Sequence, residues 1–169
     1  LDVNLARLRE LEHRYGNALQ TGASTRYAIA EALQSADLVI GSVLIPGAAA
    51  PKLVTDDMVA GMKPGSLLVD IAIDQGGCFE GSHATTHDAP TFAVHDALYY
   101  CVANMPGAVP ETSTRALTNA TLPYVTALAD RGWDAAAAAD PSLAKGLNVR
   151  GGEVVNAGVA AALGYAQAD

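Results

Sequence analysis

Three apolar runs in the first two thirds of the chain constrain its fold more than any other feature. They are "ADLVIGSVLI", "SLLVDIAI" and "HDALYYCVANM". None shows the polar-apolar alternation of a sheet with one wet face, so each reads as a strand covered on both sides, the habit of parallel sheets. The first is expected over Asp37 to Val43, closed by Pro46 and Gly47. Between the first two runs, "VTDDMVAGMKPG" carries a helix: Thr55 as cap, Asp56 and Asp57 in the first turn where the helix dipole favours them, and Lys63-Pro64-Gly65 as exit. A long loop is expected before the third run.

Upstream, Leu5, Leu8, Leu11 and Tyr15 recur at helical spacing with charged residues between them, and Gly16 stops the pattern. "NALQTGAS" reads as a weak strand and turn. A second helix starts at Ser24 or Thr25 and carries Tyr27, Ile29 and Leu33 to about Ser35. Strands alternating with short helices give an α/β fold, a Rossmann-type doubly wound parallel sheet. Beyond Pro106 the pattern turns helical, with Leu117, Leu122, Val125 and Leu128 on one side, a kink expected at Pro123, and Ala135 to Ala139 as ordinary helix. The expected domains are therefore residues 1–108, a nucleotide-binding sheet incomplete at its N-terminus, and 109–169, a helical segment.

Charge and hydropathy narrow the function classes. No apolar segment approaches the roughly 20 residues that cross a bilayer, so no membrane span is expected. Eighteen acidic against ten basic residues give a net charge of -8, and the cations are scattered, which disfavours nucleic acid as a partner. Cys78 lies in a glycine-rich loop and Cys101 in an apolar strand, so no disulfide framework is indicated and a reducing cytoplasm is the expected location. "LDVN" has neither an initiator Met nor the features of a signal peptide, and reads as a chain joined partway through a fold.

Ligands of open parallel sheets lie beyond the carboxyl ends of the strands. "VLIPGA", "IDQGG" and "VANMPG" all fall there. In "IDQGG", Asp74 is the carboxylate best placed for chemistry, and Gly76 and Gly77 would let backbone approach a flat ligand. Asp70, inside the strand, reads as a hydrogen-bonded structural carboxylate. Asp2 reads either as a helix cap or as the acid that binds the ribose hydroxyls of a dinucleotide. The cluster Cys78, Glu80, His83 and His87 invites a metal reading, because "HATTH" has the spacing of a helical metal pair, but the glutamate does not lie between the histidines, the Gly, Thr and Pro neighbours argue for a loop, and no metal is expected. His95 reads as a cap or a surface residue.

"SADLVIGSVLIPGAAAPKLVTDDMVAGMKPGSLLVDIAIDQGGCFEGS" and "PTFAVHDALYYCVANMPGAVPETSTRALTNATLPY" resemble the C-terminal part of bacterial alanine dehydrogenases, a family shared with the alpha subunit of transhydrogenase. That subunit usually has Glu where this chain has Asp74, which favours the dehydrogenase. The resemblance implies NAD as cofactor and the reversible oxidative deamination of L-alanine to pyruvate and ammonia. It implies Asp2 as the ribose-binding acid, Arg7 toward the adenosine phosphate, Ser24 at the adenine, Val43 and Leu44 beside the cofactor, and Ile71 near the nicotinamide. Asp74 matches the catalytic aspartate. Val102, Ala103, Asn104 and Met105 match the segment where cofactor and substrate meet, with Asn104 holding a polar atom of the substrate. A homohexamer is implied, as is an absent substrate domain, with its acid-base histidine, and an absent glycine-rich loop. Two rivals stand beside this reading: a transhydrogenase-like domain and a non-catalytic remnant.

Overall fold

The structure is a computed structural model and describes residues 1–45 and 49–166. The turn expected at Pro46 and Gly47 lies outside the described residues. The chain divides into two compact units, Leu1–Leu44 with Ala50–Ala103, and Ile45–Ala49 with Asn104–Asp169.

The first unit holds helices α1 (Leu5–Tyr15), α2 (Arg26–Leu33) and α3 (Asp56–Ala60), and strands β1 (Leu38–Gly41), β2 (Leu67–Asp70), β3 (Thr91–Val94) and β4 (Ala97–Tyr100). The sheet order is β1-β2-β4-β3. β1 and β4 both run parallel to β2, and β3 is antiparallel to β4. The expected parallel, Rossmann-type arrangement is therefore present. Both anticipated N-terminal helices form: Asn4 accepts from the Arg7 N–H to start α1, Gly16 ends it at φ 52°, and Thr25 caps α2 through the Ala28 N–H. Leu68 and Tyr99 from the sheet, Leu33 and Val59 from the helices, and Phe79 from the loop after β2 make the core. Phe79 meets Tyr99 edge-on at 5.7 Å, the favoured aromatic geometry.

Four expectations are corrected. β2 ends at Asp70 instead of running on to Ile73, because the Asp70 carboxylate accepts the Ala72 N–H at 3.1 Å and diverts the chain into a 3-10 turn, Ile71–Gln75. The loop before β4 contains β3, joined to it through His95, whose φ is 51°; His-Asp is not the usual signature of so tight a hairpin. "NALQTGAS" forms a 3-10 turn, Gly16–Ala18, and a single parallel bridge between Ala23 and Asp2. One face of the sheet is only partly covered among the described residues: Leu38 and Ile40 are 56% and 58% exposed, and Leu98, in register with Leu38 across β2, is also exposed, while Leu67, Val69 and Tyr100 on the same face are half-buried.

The second unit holds α4 (Pro110–Ala139), α5 (Pro141–Ala144), a hairpin of β5 (Val149–Arg150) and β6 (Glu153–Val154), and α6 (Ala157–Leu163). The backbone of α4 leaves helical angles at Gly132 (φ 71°) and not at the anticipated Pro123. Glycine tolerates that conformation without a Cβ clash. Asp140 caps α5 and Asn156 caps α6 with their side-chain oxygens.

Candidate functional site at the carboxyl ends of the parallel strands

Parallel pairing brings the ends of β1, β2 and β4 to one edge of the sheet, since Gly41 lies opposite Asp70 and Val69 opposite Tyr100. From that edge leave Val43 and Leu44, Ile71 and Asp74, and Val102 and Ala103. Leu44 is 73% and Ile71 50% exposed, an apolar pair that the interior has not claimed. Val43 packs partly against the core, and Val102 is buried. Asp74 is exposed on its turn, and among the described residues its carboxylate has no hydrogen-bond or ion-pair partner.

The turn that carries Asp74 is built from backbone outward. The Gly76 and Gly77 N–H groups donate to the carbonyls of Ile73 and Ala72, with both glycines in the left-handed region at φ 89° and 75°. A Cβ on Gly77 would stand 2.8 Å from an Asp70 carboxylate oxygen and 2.6 Å from Ser82 Cβ. Asp70 itself is fully buried. It accepts from the N–H groups of Ala72, Cys78 and Phe79, from the Ser82 hydroxyl and from the Cys78 thiol. A carboxylate out of water needs such a set of donors, and its reading as a hydrogen-bonded structural acid agrees with this geometry. Burial first, and then the neighbouring Asp70 charge, push the Cys78 thiol up to about 12. Cys101, also free and buried, is raised chiefly by burial.

Lys52 was not singled out among the candidates. Its ammonium donates to the carbonyls of Gly76, Gly77 and Phe79 at 2.7, 2.9 and 3.1 Å. No side-chain motif announces such a lysine, because all three partners are backbone. Glu80, weighed in sequence only as a metal ligand, has a different role: its carboxylate accepts the Asp56 N–H at 2.8 Å and caps α3, a role expected of the Thr55 hydroxyl, which makes no cap bond.

Asp2 and Ser24 are joined by backbone, Asp2 N–H to Gly22 and Ser24 N–H to Asp2. The Asp2 carboxylate is exposed and accepts the Asn4 N–H at 2.8 Å. Capping of α1 falls to Asn4, so the cap alternative for Asp2 does not hold. Arg7 is paired with Glu10 at 2.6 Å, a contact that raises its pKa. In the second unit, Asn104 accepts the Gly107 N–H at 3.2 Å and opens a 3-10 turn, Met105–Ala108. His83 stacks on Phe92 with ring centroids 3.7 Å apart, and His95 pairs with Asp56 at 2.9 Å. Among the described residues no group of three or more His, Cys, Asp or Glu is arranged to hold a metal, and no helix is long and apolar enough to cross a membrane.

Residues 1–157 match the family model "Alanine dehydrogenase/PNT, C-terminal domain". The chain belongs to this family. The alanine dehydrogenase of Mycolicibacterium smegmatis is 60% identical over 159 residues, which are 94% of this chain and 43% of the relative. That of Geobacillus stearothermophilus is 55% identical over 163 residues, 96% and 44% of the two chains. Among solved structures, an L-alanine dehydrogenase superposes with a TM-score of 0.80 at 46% identity, over 96% of this chain and 45% of the other. A transhydrogenase from Sinorhizobium meliloti gives 0.66 at 26% identity, over 92% and 41%. The chain thus spans less than half the length of the relatives it matches. Membership of the alanine dehydrogenase/PNT family agrees with the resemblance carried by the "IDQGG" and "VANM" segments.

Proposed function

We propose that the complete protein containing this chain oxidatively deaminates L-alanine to pyruvate and ammonia, reversibly, with NAD as cofactor. The observation that carries this reading is an exposed carboxylate, Asp74, on the turn leaving the central parallel strand of a chain that belongs to the alanine dehydrogenase/PNT family. In this reading residues 1–108 bind the cofactor and 109–169 pack toward a substrate domain.

The residues fit the cofactor. Asp2 presents an exposed carboxylate next to Ser24, suited to ribose hydroxyls, and its charge repels the extra phosphate of NADP. Arg7, in the first turn of α1, would turn from Glu10 toward the adenosine phosphate. Leu44 and Ile71 offer apolar surface to a flat ring, Val43, Val102 and Ala103 leave the same strand edge, and Asn104 and Met105 are further proposed cofactor contacts. When bound, NAD supplies the acceptor for the hydride that leaves the substrate α-carbon. Asp74 then holds or moves the protons exchanged with water as amine becomes ketone. Asn104 holds a polar atom of the substrate. A homohexamer in the cytoplasm completes the proposal.

The test is NADH formation by the complete protein supplied with alanine and NAD. Alanine-dependent absorbance growth is the expected result. Hydride exchange between NADH and an NADP analogue without alanine turnover would favour the transhydrogenase-like alternative, for which the superposition on a transhydrogenase is the supporting observation. Absence of both reactions would leave the non-catalytic alternative.

A further inference from the structure

We propose that Lys52 and Asp70 are paired positioning residues that hold the Asp74 turn from opposite sides. The inference rests on the reading of Asp74 given above. Residues 76–79 follow the turn directly, and their backbone is gripped by two charges. Asp70 takes the N–H groups: Cys78 at 2.8 Å and Phe79 at 3.3 Å, besides Ala72 at the start of the turn. Lys52 takes the carbonyls of Gly76, Gly77 and Phe79. The Asp74 turn is therefore pinned at its first residues by the carboxylate and just past its last by the ammonium.

Three features make this a device for placement and not ordinary packing. An ammonium has three donors, and Lys52 commits all three to backbone, leaving none for a substrate carboxylate. Two glycines at positive φ would leave the segment conformationally loose without such ties. Asp74 has no partner of its own among the described residues, so the backbone beneath it sets its position. The segment of Lys52 is itself registered against the same loop, through Ala50 N–H to Gln75 and Leu53 N–H to Cys78. A displacement of about 1 Å in a reacting group costs on the order of a hundredfold in rate.

The experiment uses the complete protein with Lys52→Met, which keeps the aliphatic stem and removes the charge, and with Asp74→Ala and the double variant. Asp70→Asn serves as a second probe, subject to its folding. Expected for Lys52→Met is a fall in kcat of about 10- to 100-fold, with the NAD Kd changed by less than about threefold, and faster amide hydrogen exchange confined to residues 73–79. In the Asp74→Ala background the same substitution should cost almost nothing further, because the two act through one group. Unchanged exchange over residues 73–79, or rate losses that multiply in the double variant, would overturn the proposal. Failure of the functional reading is seen separately, in the unmutated protein: no alanine-dependent NADH formation there removes the reaction that the clamp is said to serve.

Discussion

Asp2 and Cys78 show how a single residue's surroundings set what it does. The Asp2 carboxylate stays exposed while accepting one N–H, from Asn4, so its remaining acceptor capacity is available to ribose hydroxyls. Asp2→Gly in the complete protein should lower the preference for NAD over NADP by about tenfold or more, about 1.4 kcal/mol of discrimination. An unchanged ratio of the two kcat/KM values would deny Asp2 that role. Cys78 is raised from 9.0 to about 12, by burial and then by Asp70. The folded chain keeps this proton where the unfolded chain gives it up, so the stability it confers is intact below about pH 9 and is lost progressively as pH rises toward 12. Urea midpoints taken at pH 8 and pH 10 should therefore fall further in the parent than in Cys78→Ala. Equal falls would contradict a proton held by burial.

At the scale of elements, the turn after β2 decides the most. Gly77→Ala must accept a left-handed φ, about 1–3 kcal/mol, and also a Cβ 2.8 Å from Asp70. Gly76→Ala meets only the backbone cost, because nothing lies within 4 Å of its Cβ position. Gly77→Ala should be the more destabilising of the two in chemical denaturation, and equal losses would mean that the Asp70 cradle yields freely. This turn was only half legible in sequence. "SLLVDIAIDQGG" announces a strand ending in a ligand-facing loop, but hydrophobicity alone could not say that Asp70 stops the strand three residues early. The Asp70–Ala72 bond is local, but the carboxylate's other N–H partners lie as far off as Phe79, which no local pattern encodes. β3 was hidden for a related reason. Only Phe92 and Val94 of its four residues turn toward the core, too short an alternation to rise above its surroundings. Helices α1 and α2 were plain because their signals are local: a spacing of three and four, a capping Thr25, and a terminal Gly16.

Across the whole molecule, parallel pairing of β1, β2 and β4 converts three separate stretches of sequence into one edge, and this was readable from the apolar runs and the helix between the first two. The clamp by Lys52 was not, since it joins residues 24 to 27 positions apart through backbone atoms alone. The exposed sheet face of Leu38, Ile40 and Leu98 belongs to strands whose sequence is apolar on both sides, in a chain that covers less than half of its relatives' length. Asp74 carries the proposed chemistry, and the most direct measurement compares kcat with the NAD Kd for Asp74→Ala in the complete protein. A group that moves protons predicts a loss of turnover of about 100-fold or more, with NAD affinity within about threefold of the parent. Turnover and affinity falling by the same factor would contradict the account, because the carboxylate would then be holding the cofactor and not serving the reaction.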